Sequence, residues 1–176
     1  MQAFRPALCS YAGVISNRPR RLAGVSYVGH QRYFLTICVA YRRPVFTSTS
    51  LATSVIEQLL RTARKLELSV PAYCVMPDHV HALVESQAMS TDFQKFVKLF
   101  KQTTGYAYRR QCGHFLWQPG YHERILRDDQ ATDTIVRYVL ENPIRAGLTA
   151  TLGDYPFAGS GEYSLDELRA AWETQA

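Results

Sequence analysis

Residues 70–85, "VPAYCVMPDHVHALVE", contain a complete predicted β-hairpin, and this hairpin indicates the class of fold. Residues 70–75 and 80–84 are rich in apolar and β-branched side chains, as is typical of strands. The intervening "MPDH" (76–79) is typical of a turn, since proline fixes φ and aspartate can bond its own backbone. We therefore expect the two strands to pair as a hairpin.

Two of the chain's five histidines lie where the second strand of this hairpin begins, His79 as the last turn residue and His81 within the strand. Because side chains alternate along a strand, His79 and His81 share one face and lie about 7 Å apart. Val80, Ala82 and Val84 point the other way, towards the helices. Two imidazoles on one face can bind one divalent ion, although at least a third ligand is needed. The alternative, a polar strand face without a metal, stays open for a pattern as short as HxH.

Hydrophobic periodicity elsewhere predicts two further strands and four helices. The strands cover 33–40 and 121–127, and the helices cover 51–66, a segment starting at Phe93, 128–142 and a short terminal segment, 164–172. Thr91-Asp92-Phe93-Gln94 is a candidate capping box for the second of these helices, and Ser164-x-x-Glu167 opens the last. Pro143 is expected to end the third helix, since the residue before proline avoids the α region. The order β-α-β-β-α-β-α is the ferredoxin-like pattern, an α+β fold whose antiparallel sheet carries its helices on one face.

Composition indicates a globular, basic protein without a membrane segment. Among the 176 residues 47% are hydrophobic and 20% charged, with a net charge of +5, which suits a polyanionic partner such as nucleic acid. The four cysteines are far apart, which favours a reducing cytoplasm over a disulfide framework or a zinc ribbon. We divide the chain into a basic N-terminal arm (1–25), one domain (26–163) and a short C-terminal helix (164–176). The arm is equally well explained as a frayed terminus.

The third predicted helix offers a possible nucleophile and a possible third ligand. Tyr138 and Asn142 are four residues apart, so they lie on one helix face. Asn142 could supply an amide oxygen to an ion held by the histidines, and Tyr138 a phenolic oxygen directed at a phosphate on that ion. Each residue also has a structural explanation, a core tyrosine and a helix C-terminal asparagine.

Several blocks of the sequence resemble one known family in the order expected for it. "YCVMPDHVHALVE" (73–85) is similar to the HUH motif segment of single-tyrosine transposases, and "FLWQPGYHERILRDD" (115–129) and "YVLENPIRAGL" (138–148) are similar to the next two blocks. "GHQRYFLTICVAYRRPVF" (29–46) resembles the first strand and "DYPFAGSGEY" (154–163) the C-terminal segment. The branch most resembled is the REP-associated tyrosine transposases, bacterial and domesticated.

The resemblance implies a role for each matching residue. His79 and His81 match the metal-binding histidines, Tyr138 the tyrosine that attacks DNA, and Asn142 the polar residue that completes the metal site. Asparagine stands where insertion-sequence enzymes usually carry glutamine, in agreement with the REP-associated branch. The implied reaction is cleavage and rejoining of single-stranded hairpin DNA through a 5′-phosphotyrosine, with Mg²⁺ or Mn²⁺ as cofactor. The implied location is the bacterial cytoplasm, in association with the nucleoid.

Basic side chains near these blocks are candidates for contacts with DNA phosphates. They lie on or just after the second helix and around the tyrosine: Lys95, Lys98, Lys101, Arg109, Arg110, Arg124, Arg127, Arg137 and Arg145. A solvated basic helix face is the alternative. Among the aromatic residues, Tyr106, Tyr108, Trp117 and Tyr121 could stack on unpaired bases, with Trp117 favoured as a core residue.

Two functions remain open at the level of sequence. The first is an endonuclease and strand transferase with a tyrosine nucleophile. The combination of His79, His81, Tyr138 and Asn142 favours it. The second is a catalytically quiet protein that binds repeat hairpins. The sequence leaves two points open. The protein could be a monomer or a homodimer, and Tyr138 could reach the histidines of its own chain or those of a partner chain.

Overall fold

The computed structural model describes residues 26–127 and 129–174, and the predicted basic arm (1–25) lies outside them. The described residues form five strands and four α-helices. The strands are β1 (Arg32–Cys38), β2 (Leu68–Met76), β3 (His79–Ser86), β4 (His122–Leu126) and β5 (Ala158–Gly159), and the helices are α1 (Thr49–Lys65), α2 (Phe93–Cys112), α3 (Asp129–Arg145) and α4 (Leu165–Thr174). Two short 3₁₀ turns, Ala40–Arg42 and Val45–Thr47, connect β1 to α1.

All strand pairs of the sheet are antiparallel, in the order β4-β1-β3-β2-β5. The predicted hairpin is present, since β2 and β3 pair directly and the Pro77–Asp78 turn joins them. The α+β class is therefore confirmed. The edge strand β5 was not predicted, because two residues are too short to produce a periodic signal.

The helices occupy both faces of the sheet, which corrects the one-face arrangement expected from the sequence. One core combines α1 and α2 with Leu35, Ile37 and the other side chains on that face of the sheet. A second core combines α3 and α4 with Phe34, Leu83 and their neighbours on the opposite face. Periodicity shows which side of a helix is apolar, but both faces of these strands are apolar, so it could not assign α3 to a face.

Helix α3 continues past Pro143 to Arg145, whereas the sequence predicted its end at Asn142. Proline removes one amide donor from the ladder, and only a short last segment of the helix follows it. The Asn142 side chain donates from Nδ2 to the carbonyl of Tyr138 at 2.7 Å, and the packed residues Val139 and Leu140 hold the helix on the sheet.

Side chains cap α2 and α4 where capping boxes were predicted, but the residue that caps α2 is Asp92 and not Thr91. The Asp92 carboxylate caps α2 by accepting from the backbone N–H of Lys95 at 3.0 Å. Thr91 of the predicted box is buried and donates to the Glu67 carbonyl instead. At α4, Ser164 and Glu167 exchange the reciprocal hydrogen bonds of a capping box, as predicted.

The cysteines that the structure describes are free. Cys38 and Cys74 are buried and Cys112 is exposed. Burial raises the pKa of the Cys74 thiol to about 12, so it stays protonated and behaves as a small apolar side chain. None of the helices in the described ranges has the length and apolar character required to cross a bilayer.

Candidate active site

The two histidines of β3 converge on the sheet face that α3 covers. Their Nε2 atoms are 3.0 Å apart, and the rings meet edge to face with centroids 4.6 Å apart. Each Nδ1 atom has a partner of its own: His79 Nδ1 bonds Asp78 Oδ1 at 2.6 Å, and His81 Nδ1 bonds Thr36 Oγ1 at 2.9 Å. The shared strand face predicted from the sequence is thereby confirmed in position.

The two Nε2 atoms could supply two ligands to one metal ion. The bond between His79 Nδ1 and the Asp78 carboxylate orients the ring with Nε2 towards His81, as in metal sites whose histidines have a carboxylate behind them. Two nitrogens that bind one ion at about 2.1 Å in adjacent positions lie about 3 Å apart, close to the separation found here. In the ranges 26–127 and 129–174 no cluster of three His, Cys, Asp or Glu side chains could hold an ion. A further ligand would therefore be an amide, a water molecule or the substrate.

The surroundings keep His81 neutral and Asp78 charged. Burial, assisted by the charges of His79 and Arg42, holds the pKa of His81 well below its usual value. Burial raises the pKa of Asp78, but the hydrogen bond from His79 and the charges of His79 and Arg42 outweigh it, so the net shift is downward. The neutral form of histidine is the form that binds metal ions.

Tyr138 lies beside this pair, on α3. Its ring centroid is 5.9 Å from that of His81 and 5.7 Å from that of Phe34. The residue is largely buried, with 9% of its surface exposed. Burial raises the pKa of the phenol, while a hydrogen bond with Asn142 and the charge of Arg145 lower it in part. The Arg145 guanidinium stands over the ring, 5.0 Å from its centroid.

Asn142 is next to Tyr138, as its spacing on the helix predicted. Its Nδ2 atom is fixed by the hydrogen bond to the Tyr138 carbonyl. That bond leaves Oδ1, the atom that would bind a cation, as an acceptor. Among the described residues no hydrogen bond joins Asn142 to either histidine.

The basic candidates fall into two groups on opposite faces of the sheet. Arg124 is paired with Phe34 across β4 and β1, so its side chain belongs to the face of the histidines. Arg127 follows β4 and is exposed. Arg137 lies on α3, with its guanidinium 5.0 Å from the centre of the Trp172 ring. Their contact with DNA stays a prediction.

The remaining candidates lie on α2, which packs on the other face. Lys95, Lys98, Arg109 and Arg110 are exposed there. Lys101 differs, since its ammonium group donates to the carbonyls of Gln118, at 2.8 Å, and Gly120. Lys101 therefore anchors the loop before β4, a role that its sequence context did not reveal.

Two side chains of the site were missed by the sequence interpretation. Asp78 was read only as a turn residue, although its position directly before His79 is a usable signal for a carboxylate partner. Arg42 gave no signal: its Nε atom binds Asp78 Oδ2 at 2.8 Å only because a tight turn after β1 directs it inward. In that turn Tyr41 and Arg42 have φ of 59° and 54°, a region that non-glycine residues rarely adopt.

Fold and site together define an α+β domain with an HxH pair on its sheet and a tyrosine from a helix against it. The family model described as "Transposase IS200 like" matches residues 27–142. The chain belongs to this family, and the resemblance drawn from the sequence blocks is confirmed.

Proteins that are similar to this chain in sequence or structure are described as transposases. A REP-associated tyrosine transposase of Escherichia coli K12 is 23% identical over 133 residues, which cover 75% of this chain and 78% of that protein. A candidate REP-associated tyrosine transposase of Haemophilus influenzae is 21% identical over 137 residues, with 72% and 77% covered. The structure of a REP-associated tyrosine transposase bound to a REP hairpin superposes with a TM-score of 0.67 at 22% identity, covering 81% of this chain and 82% of that one. The last likeness confirms the fold.

Proposed function

We propose that the protein is a metal-dependent endonuclease and strand transferase that acts on hairpin-containing single-stranded DNA. The observation that supports this most directly is the position of the Tyr138 ring against His81, whose Nε2 atom converges with that of His79. A protein that only binds DNA has no use for a phenol beside two imidazoles. Family membership makes a transposase reaction the expected chemistry.

In the proposed reaction the Tyr138 phenolic oxygen attacks the scissile phosphorus. A bond forms between that oxygen and phosphorus, the bond from phosphorus to the 3′-oxygen breaks, and the phenolic proton is lost as the 3′-oxygen gains one. The product is a 5′-phosphotyrosine and a free 3′-hydroxyl. Because the link keeps the energy of the phosphodiester, a second 3′-hydroxyl can reverse the step and join a new strand.

Burial raises the pKa of Tyr138, and two neighbouring residues offset that rise only in part. A free phenol has a pKa of about 10 and is a weak nucleophile at neutral pH. The Arg145 guanidinium and the Asn142 amide both act against the increase in pKa that burial causes. His79, His81 and Asn142 would hold the divalent ion, Mg²⁺ or Mn²⁺, which when bound supplies charge neutralisation at the phosphate.

The proposed partner is a DNA hairpin with unpaired flanks. The relative bound to a REP hairpin has the same fold, and this chain has the basic groups that such a ligand needs. Tyr138 and His81 meet within one chain, which supports catalysis by a single protomer.

One observation favours the alternative, a hairpin-binding protein without turnover. Tyr138 is only 9% exposed, and burial raises the pKa of its phenol. Such a residue is a poor nucleophile unless DNA or a cation changes its surroundings.

Labelled hairpin oligonucleotides with Mn²⁺ separate the two functions. A strand labelled at its 3′ end should remain on the protein after denaturation, because the covalent link is to the 5′ phosphate of that fragment. The same strand labelled at its 5′ end should release a shorter fragment with a free 3′-hydroxyl. Tight binding with neither product would reject the enzyme in favour of the binding protein.

A further inference from the structure

Two segments of the chain without any carboxylate meet at one end of the sheet. No Asp or Glu occurs before Glu57, and none lies between Asp92 and Glu123. In the fold these segments pair: Ala40 N–H donates to the Leu116 carbonyl at 2.8 Å. Farther along the same two segments, the Arg43 side chain donates from Nη2 to the Phe115 backbone carbonyl at 2.7 Å. The charged side chains that these two segments contribute to the surface are all basic.

Aromatic rings stand exposed on this surface. Tyr41 is 66% exposed and Phe115 65%, at adjacent positions on the two paired segments. The Arg109 guanidinium lies over the Phe115 ring, 4.7 Å from its centroid. One turn earlier on α2, Tyr106 is 67% exposed, and Arg110 lies 6.0 Å from its ring centroid. We name Tyr41, Phe115, Arg43 and Arg109 the aromatic platform.

The aromatic platform adjoins the candidate active site. Arg42, between Tyr41 and Arg43, turns inward and binds Asp78, which in turn bonds His79. The side chains of Tyr41 and Arg42 point in different directions because both residues have positive φ angles. The Arg42 side chain turns to the Asp78 carboxylate, and the Tyr41 side chain stays in solvent. Backbone strain of this kind persists only where the surrounding structure fixes it.

We propose that the aromatic platform binds unpaired nucleotides of the DNA strand that leads to the active site. Exposed rings flanked by guanidinium groups suit single strands, whose bases present free π faces while their phosphates need cations. In a duplex the bases are already stacked, so the platform would discriminate against the paired stem of a hairpin. An acidic protein would satisfy the charges but not the rings. This inference rests on the proposed function, because it assigns the strand that the site would receive.

The test compares binding of two DNAs in the presence of EDTA, where no cleavage occurs. One is a blunt hairpin, and the other is the same hairpin with an unpaired extension of about ten nucleotides on either side. Tyr41→Ala and Phe115→Ala should each lower the affinity for the extended hairpin roughly tenfold and leave that for the blunt hairpin unchanged. Tyr41→Phe, which keeps the ring, should bind like the wild type.

Tyr163→Ala serves as the matched control, since Tyr163 is 54% exposed but lies beyond the opposite edge strand β5. Affinity that is unchanged in Tyr41→Ala and Phe115→Ala would overturn the proposal. Equal losses on both DNAs would overturn it as well, because the surface would then bind the stem. The formation of a covalent adduct by the wild type is measured separately, so a failure of the proposed enzymatic function is distinguishable from a failure of this inference.

Discussion

Asp78 holds one member of the histidine pair in place. Its two carboxylate oxygens bind His79 Nδ1 and Arg42 Nε, so it orients the imidazole and is itself held in place. Removing a carboxylate behind a metal-binding histidine typically weakens metal affinity about 10- to 100-fold. We expect Asp78→Asn to weaken Mn²⁺ binding by that factor, measured by titration calorimetry without DNA.

The control for this variant is Asp166→Asn, which removes the same charge from an exposed position on α4. It should leave Mn²⁺ affinity unchanged. Equal Mn²⁺ affinities of Asp78→Asn and the wild type would show that the imidazole needs no orientation by this carboxylate, or that the ion binds elsewhere.

Tyr138→Phe tests the nucleophile. The variant keeps the ring that packs against Phe34 and His81 and removes only the hydroxyl, so hairpin affinity should be close to that of the wild type. The covalent adduct on a strand labelled at its 3′ end should disappear. Tyr163→Phe removes a hydroxyl from an exposed tyrosine and should form adduct at the normal rate. Adduct formation by Tyr138→Phe would identify another tyrosine as the nucleophile.

Local sequence patterns predicted which helices and strands the chain forms, but not always which elements pack against each other. The hairpin turn, the Ser164–Glu167 cap and the helical tyrosine are local features, and each was predictable from a few residues. The side of the sheet on which α3 lies depends on which apolar face it covers, and that is a tertiary choice. The inward turn of Arg42 depends on pairing with a segment more than seventy residues away, which no local pattern contains.

The junction between α2 and the segment before β4 provides a test at this scale. The buried Trp117 donates from Nε1 to Thr104 Oγ1 at 2.8 Å, and the Thr104 hydroxyl donates to the Phe100 carbonyl at 2.7 Å. The core role predicted for Trp117 is thus confirmed. Thr104→Val would leave the indole N–H buried without an acceptor, so we expect a loss of about 1–3 kcal/mol in the free energy of unfolding.

Denaturant unfolding followed by circular dichroism measures this loss. Trp117→Phe in the Thr104→Val background removes the orphaned donor, so the double variant should be less destabilised than the sum of the two single changes. Additive losses would mean that the hydrogen bond contributes little and that ring packing accounts for the stability of the junction.

For the whole molecule, the sheet separates two basic regions. Arg124 belongs to the face of the histidines, whereas Lys95 and Lys98 are on α2, behind the sheet. Both groups have the same role in the prediction from sequence, because linear spacing does not reveal that a sheet lies between them. DNA that reaches α2 from the histidines must pass around the sheet. The aromatic platform lies at the end of the sheet where β1 meets the segment after α2.

The salt dependence of binding shows whether DNA follows that route. Each phosphate contact that is lost should reduce the slope of log K against log salt by about 1. Lys95→Gln with Lys98→Gln should therefore reduce it by about 2 if DNA reaches α2. Arg61→Gln with Arg64→Gln changes the net charge equally at exposed positions on α1 and should leave the slope nearly unchanged. Equal slopes for the two double variants would mean that Lys95 and Lys98 belong to a solvated basic face and that DNA does not reach their end of α2.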